Sequence, residues 1–97
     1  MKDLTKYRGV FPAFYACYDA QGAVSPDRIR ALTRHLIGKG VSGLYVGGSS
    51  GECIYQSVAE RKLTLENVMA EAGGRIPVIA HVACNSIADS RELAAHA

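Results

Sequence analysis

No apolar stretch among the 97 residues approaches the roughly 20 that a membrane-spanning helix needs, so no membrane partner is expected. There is no basic run either. The eleven Lys and Arg residues are scattered from Lys2 to Arg91 without interleaved aromatics, and the net charge of +2 carries no implication of a nucleic-acid partner. Cys17, Cys53 and Cys84 are odd in number and far apart, with no Cys-x-x-Cys and no His at ligand spacing. That pattern argues against a disulfide framework or a zinc site and fits three reduced thiols in a cytoplasmic protein. No metal and no cofactor is expected. The segment Met1 to Lys6 carries an acid and is not followed by an apolar region, so it does not read as a signal peptide. Linkers, low-complexity segments and internal boundaries are also lacking, which leaves residues 1–97 as part of one domain.

What is present is periodic. Hydrophobic residues make up 48% and charged residues 21%, ordinary values for a globular chain. Three short apolar runs recur: Gly9 to Tyr15, Gly43 to Val46, and Pro77 to Val82. Their first residues, Gly9, Gly43 and Pro77, stand 34 positions apart. Each run reads as a strand of a parallel sheet covered on both faces. A helical pattern follows each. Ser25-Pro26-Asp27-Arg28 supplies an N-cap, a first-turn proline and an acid, the stripe Ile29, Leu32, Leu36, Ile37 follows, and Gly38 and Gly40 end it. Ser57-Val58-Ala59-Glu60 is a capping box, followed by Leu63, Val68, Met69 and Ala72 before Gly73-Gly74. Ser86 opens a third helix.

The order β-α-β-α-β-α implies parallel strands with right-handed crossovers. Both a doubly wound sheet and an eightfold barrel satisfy it. A barrel of about 250 residues has a mean repeat of about 31, close to the spacing found here, and three repeats of eight would occupy about this length. Such a piece leaves the outer edges of its first and third strands unpaired.

Chemistry in these folds sits beyond the carboxyl ends of the strands. After the second run comes Gly47-Gly48-Ser49-Ser50-Gly51-Glu52. Glycines allow a tight turn and close approach to a ligand, and the serine hydroxyls and backbone N–H groups suit an anion. No lysine follows at phosphate-loop spacing, which argues against a nucleotide-binding loop, and the small size and hydroxyl character of the turn favour a carboxylate over a triphosphate. The bland alternative is a tight turn capped by serine hydroxyls. A chemical rival is the nucleophile elbow, because Gly47 to Gly51 satisfies Gly-x-Ser-x-Gly, with His81 as the base that could face Ser49.

Arg8-Gly9-Val10, Gly43 to Glu52, Gln56-Ser57, Glu60-Arg61 and Ile76 to Val82 together resemble the N-acetylneuraminate lyase and dihydrodipicolinate synthase superfamily. The likeness runs over almost the whole chain. Tyr45 to Ser49 and Gln56-Ser57 are more similar to the neuraminate lyases. The resemblance implies a (β/α)8 barrel of which this chain supplies the first three βα units. It implies a class I aldolase in which a later lysine forms a Schiff base with pyruvate, or with a keto acid that yields it, so that a neighbouring carbon–carbon bond breaks or forms. In that scheme Ser50 binds the pyruvate carboxylate with hydroxyl and N–H, Gly48 and Gly51 shape the grip, and Ser49 bonds a tyrosine and relays a proton. A homo-oligomer is common in the family. Two departures bear on substrate identity. Ala16-Cys17-Tyr18 stands where Thr-Pro-Phe is frequent, and Ser50 stands where Thr is usual.

None of Lys2, Lys6, Lys39 and Lys62 falls at the carboxyl end of a strand, and no tyrosine matches the family's catalytic one. The sequence also stops at Ala97 within a helical pattern. The expectation is an N-terminal piece of an enzyme. The other class is a non-catalytic module that pairs with another chain through its open edges. The isolated 97-residue chain is therefore expected to show no lyase activity and no covalent capture of pyruvate when treated with borohydride. A pyruvate adduct in its intact mass would overturn this.

Overall fold

The computed structural model describes residues 3–97. Three helices start where their caps dictate. In α1, Pro26–Gly38, the Ser25 hydroxyl accepts from the Arg28 N–H at 3.2 Å and Pro26 occupies the first turn, where a missing N–H costs nothing. In α2, Val58–Ala72, both bonds of the capping box form: Ser57 N–H to Glu60 at 2.8 Å and Glu60 N–H to Ser57 at 3.1 Å. In α3, Ile87–His96, the Ser86 hydroxyl accepts from the Asp89 N–H. The exit of α1 differs from the expectation. Gly38 lies inside the helix, and the reversal is made by Gly40 at φ 82 after Lys39 has closed back on His35.

Two strands, β1 (Leu44–Val46) and β2 (Val78–Ala80), pair in parallel, with Leu44 opposite Val78 and Val46 opposite Ala80. The first apolar run lies on the other side of β1 but is reduced to a single bridge, Ala13 to Tyr45. Tyr45 donates to Pro12 O at 3.1 Å and accepts from the Phe14 N–H at 2.8 Å. One step earlier along a parallel ladder the donor facing Gly43 would be residue 12, and proline has no N–H to give. The run is held instead by Ser42 N–H to Val10 O at 2.8 Å. After it the chain turns back through a small antiparallel bridge, Tyr18 to Val24, which the periodicity gave no sign of.

The spatial order is first run, β1, β2, with α1 and α2 side by side over one face. That is the arrangement of the first three βα units of a (β/α)8 barrel. Phe14, Ile29, Leu44, Val46 and Val68 form the buried cluster between sheet and helices. Alternation puts Ala13, Tyr45, Ile79 and His81 on the opposite face, which is open; Ile79 is 38% exposed. The strands are therefore covered on one face within this chain, not on both. On α2 the inward line is Arg61, Thr64, Val68 and Ala72, and Met69, expected in the stripe, is 45% exposed because it stands about 100° round the helix from Val68.

Leu44→Ala is expected to lower unfolding stability by about 2–5 kcal/mol, and Met69→Ala by less than about 0.5 kcal/mol. Urea midpoints of any soluble polypeptide carrying residues 1–97 check the contrast, and equal losses would contradict this packing.

Candidate functional site

At the carboxyl end of β1 the chain leaves the sheet through Gly47 at φ 85 and enters a 3-10 turn, Ser49–Gly51, and then a second, Cys53–Tyr55. Among the described residues the N–H groups of Gly47, Gly48, Ser49 and Ser50 donate to no protein acceptor. The Ser49 and Ser50 side chains are exposed, and no hydrogen bond among the described residues occupies either hydroxyl. Four successive N–H groups without acceptors and two hydroxyls without partners thus fall in one short turn, a donor-rich arrangement of the kind that suits an anion.

The glycines of this turn answer to the protein's own packing. A Cβ at Gly48 would come within 2.5 Å of the Tyr45 ring, one at Gly51 within 3.0 Å of the Phe14 carbonyl, and one at Gly47 within 3.1 Å of the His81 carbonyl. The expected close approach to a ligand is thus accompanied by close approach of ring and backbone from within. Between the two 3-10 turns sits Glu52 at φ 59, ψ 38, a left-handed conformation that is uncommon outside glycine. Its carboxylate accepts from the Tyr18 hydroxyl at 3.2 Å, and that hydroxyl accepts from the Gln56 amide at 3.2 Å. Arg28 in turn donates to the Tyr18 carbonyl at 2.6 Å. Tyr18, one of the departures from the family pattern, therefore ties the serine turn to the segment that follows the first run.

Beneath the turn lies Arg61 of α2, 7% exposed. Its guanidinium donates to the carbonyls of Ala83 (2.8 Å), His81 (2.9 Å) and Gly47 (3.3 Å), and to the Cys84 sulfur at 3.0 Å. Sequence reasoning gave this residue no role. The available signal was a charged side chain on the helix line that also carries Val68. A hollow of about 370 Å³ opens beside it, between the Cys53 turn and the start of α3, lined among others by Gln56, Asn85 and Asp89.

His81 does not meet Ser49. Its ring stands edge-on to Tyr45 at 5.9 Å, and its Nδ1 lies 3.4 Å from the Arg61 guanidinium. A 3-10 turn, where a hydrolase elbow needs a helix, follows the serine, so the nucleophile-elbow geometry is not formed. None of the five tyrosines bonds the Ser49 hydroxyl within the described residues. Lys6 lies over the Tyr7 ring near the start of the chain, Lys39 caps α1, and Lys62 on α2 pairs with Glu92 at 2.6 Å; Lys2 lies outside the described residues. All three cysteines are free and half-buried. Burial pushes the Cys17 thiol up, against an opposing pull from the Arg28 charge.

Comparison with known proteins places this turn in context. The chain is 62% identical over all 97 residues to an N-acetylneuraminate lyase of Mediterraneibacter gnavus and 47% identical over 93 residues to that of Escherichia coli strain K12 / DH10B. Each match covers 31% of the relative, so the chain spans about a third of the length of the curated relatives it matches. Among solved structures, a catalytic lysine mutant of the Ruminococcus gnavus sialic acid aldolase superimposes with a TM-score of 0.97 at 61% identity. That match covers 99% of this chain and 32% of the aldolase. Residues 6–97 match the dihydrodipicolinate synthetase family, and the chain belongs to that family.

Proposed function

We propose that this chain is the carboxylate-binding first part of a class I aldolase that cleaves or forms a carbon–carbon bond beside pyruvate, acting on N-acetylneuraminate or a closely similar keto acid. The observation that carries the reading is the run of four unpartnered N–H groups and two free serine hydroxyls at the carboxyl end of the central strand. A pyruvate carboxylate offers the acceptors such a turn lacks, and charge-assisted bonds to it are stronger than neutral ones. Ser50 binds the carboxylate through its hydroxyl and N–H, and the backbone of Gly48 and Gly51 shapes the turn around it. The Ser49 hydroxyl, without a partner among the described residues, is free to bond a tyrosine from a later part of the barrel and to pass a proton along. The Schiff-base lysine belongs to a later strand, because Lys6, Lys39 and Lys62 all lie away from the open end of the sheet. Its imine with the keto carbon is the electron sink for the bond that breaks.

The relatives support the substrate class. Those named above are N-acetylneuraminate lyases or a sialic acid aldolase. The remaining five strands of the barrel, a cytoplasmic location consistent with three free thiols, and a homo-oligomeric state belong to the same reading.

The reading is tested in a complete barrel, made by putting residues 1–97 in place of the segment they match in the Mediterraneibacter gnavus lyase. That chimera is expected to cleave N-acetylneuraminate. Ser50→Ala should raise KM about 10- to 100-fold, the worth of one hydrogen bond to a charged group, and Ser50→Thr should retain activity. Ser49→Ala should lower kcat about 100-fold with a smaller effect on KM, as expected where a proton path is lost. An inactive chimera, or unchanged kinetics in Ser50→Ala, would refute the assignment.

A further inference from the structure

Arg61 is a full positive charge held at 7% exposure, and no carboxylate lies within ion-pair distance of it among the described residues. Burying an ion without a counter-ion costs several kcal/mol, which neutral carbonyl dipoles offset only in part. Holding two strand ends together does not by itself require that charge, since a buried amide would bridge carbonyls without it.

Two of its contacts act on the free donors directly. In register, the ladder between β1 and β2 continues from His81 N–H bonded to Val46 O at 2.8 Å to a next bond from Gly48 N–H to His81 O. That bond is not formed, and the His81 carbonyl accepts instead from the Arg61 Nη2 at 2.9 Å. The same Nη2 draws the Gly47 carbonyl towards the helix at 3.3 Å. In a planar trans peptide the C=O and the following N–H point in opposite directions, so this turns the Gly48 N–H away from the helix. The ladder thus ends at this side chain, the Gly48 N–H is left without an acceptor among the described residues although Gly48 itself is buried, and an uncancelled positive charge lies behind it.

We propose that Arg61 is the positioning residue of the carboxylate grip: it frees and aims the Gly48 N–H and lends the turn its positive potential, without touching substrate. This rests on the reading that the Gly48–Gly51 turn binds a carboxylate.

The chimeric barrel described above provides the test, with competitive inhibition by pyruvate compared against methyl pyruvate, the ester that lacks the charge. In Arg61→Gln the pyruvate inhibition constant should rise about 10- to 100-fold while that of the ester changes less than about threefold. Arg61→Lys, which keeps the charge but loses the two-carbonyl fork, should fall between Gln and Arg. Equal changes for acid and ester in folded variants would reduce Arg61 to general scaffolding and overturn the proposal. Failure of both variants to fold, judged by circular dichroism and melting temperature, would assign Arg61 to the fold alone and overturn it as well. If Ser50→Ala leaves pyruvate inhibition unchanged, the grip itself is wrong. If Ser50→Ala weakens it and the Arg61 variants do not, only the role of Arg61 falls.

Discussion

The arrangement depends on one buried guanidinium. Arg61 reaches from α2 to the carboxyl ends of β1 and β2 and to the segment leading into α3, so a single side chain fixes how three successive elements meet. Its Nε has no partner within the described residues, and no acid answers its charge. Such a group is costly to bury and costlier to disturb, because removing it would leave several carbonyls at the sheet end without donors. On the other flank of β1 the constraint is of the opposite kind. There Pro12 withholds a donor, and the ladder to the first run thins to a single bridge. The central strand is thus released on both sides near its ends, on one side by a donor too few and on the other by a donor too many.

The serine turn is braced by its neighbours and not by its own hydroxyls. Tyr18, Glu52 and Gln56 form a chain of side-chain bonds on one side, and the Tyr45 ring presses on the Gly48 backbone from another. Glu52 accepts an uncommon backbone conformation at the junction of two 3-10 turns. Strain of that kind persists only where the surroundings over-determine it, and here the Tyr18 hydroxyl supplies part of the determination. The outcome is a turn whose carbonyls are taken up by the fold while the Ser49 and Ser50 hydroxyls are left exposed and, among the described residues, unpartnered.

Much of this was legible in the sequence where the signal is local. The capping residues Ser25, Ser57 and Ser86 start their helices where the pattern places them, because a cap is satisfied within three residues of itself. The 34-residue spacing placed the three runs correctly, and the serine turn stands at the carboxyl end of the central one. What was not legible depends on distant partners. The first run does not become a full strand, because the donor that Pro12 lacks matters only once Gly43 lies opposite. Arg61 resembles an ordinary helix cation until β2 brings the His81 and Ala83 carbonyls to it. Gly48 gives no hint in one dimension that the ring of Tyr45, three residues earlier, occupies the space where its side chain would be.

That last contact reaches into how the gene is able to change. The ring at 45 and the missing side chain at 48 occupy one volume between them, so the two positions are sterically coupled. A methyl added at 48 requires the ring to shift or to be replaced, and losing the ring removes the wall behind the turn that carries Ser49 and Ser50. What fits at one of these two positions therefore depends on what stands at the other, and a change at 48 is coupled to the placement of the ring at 45.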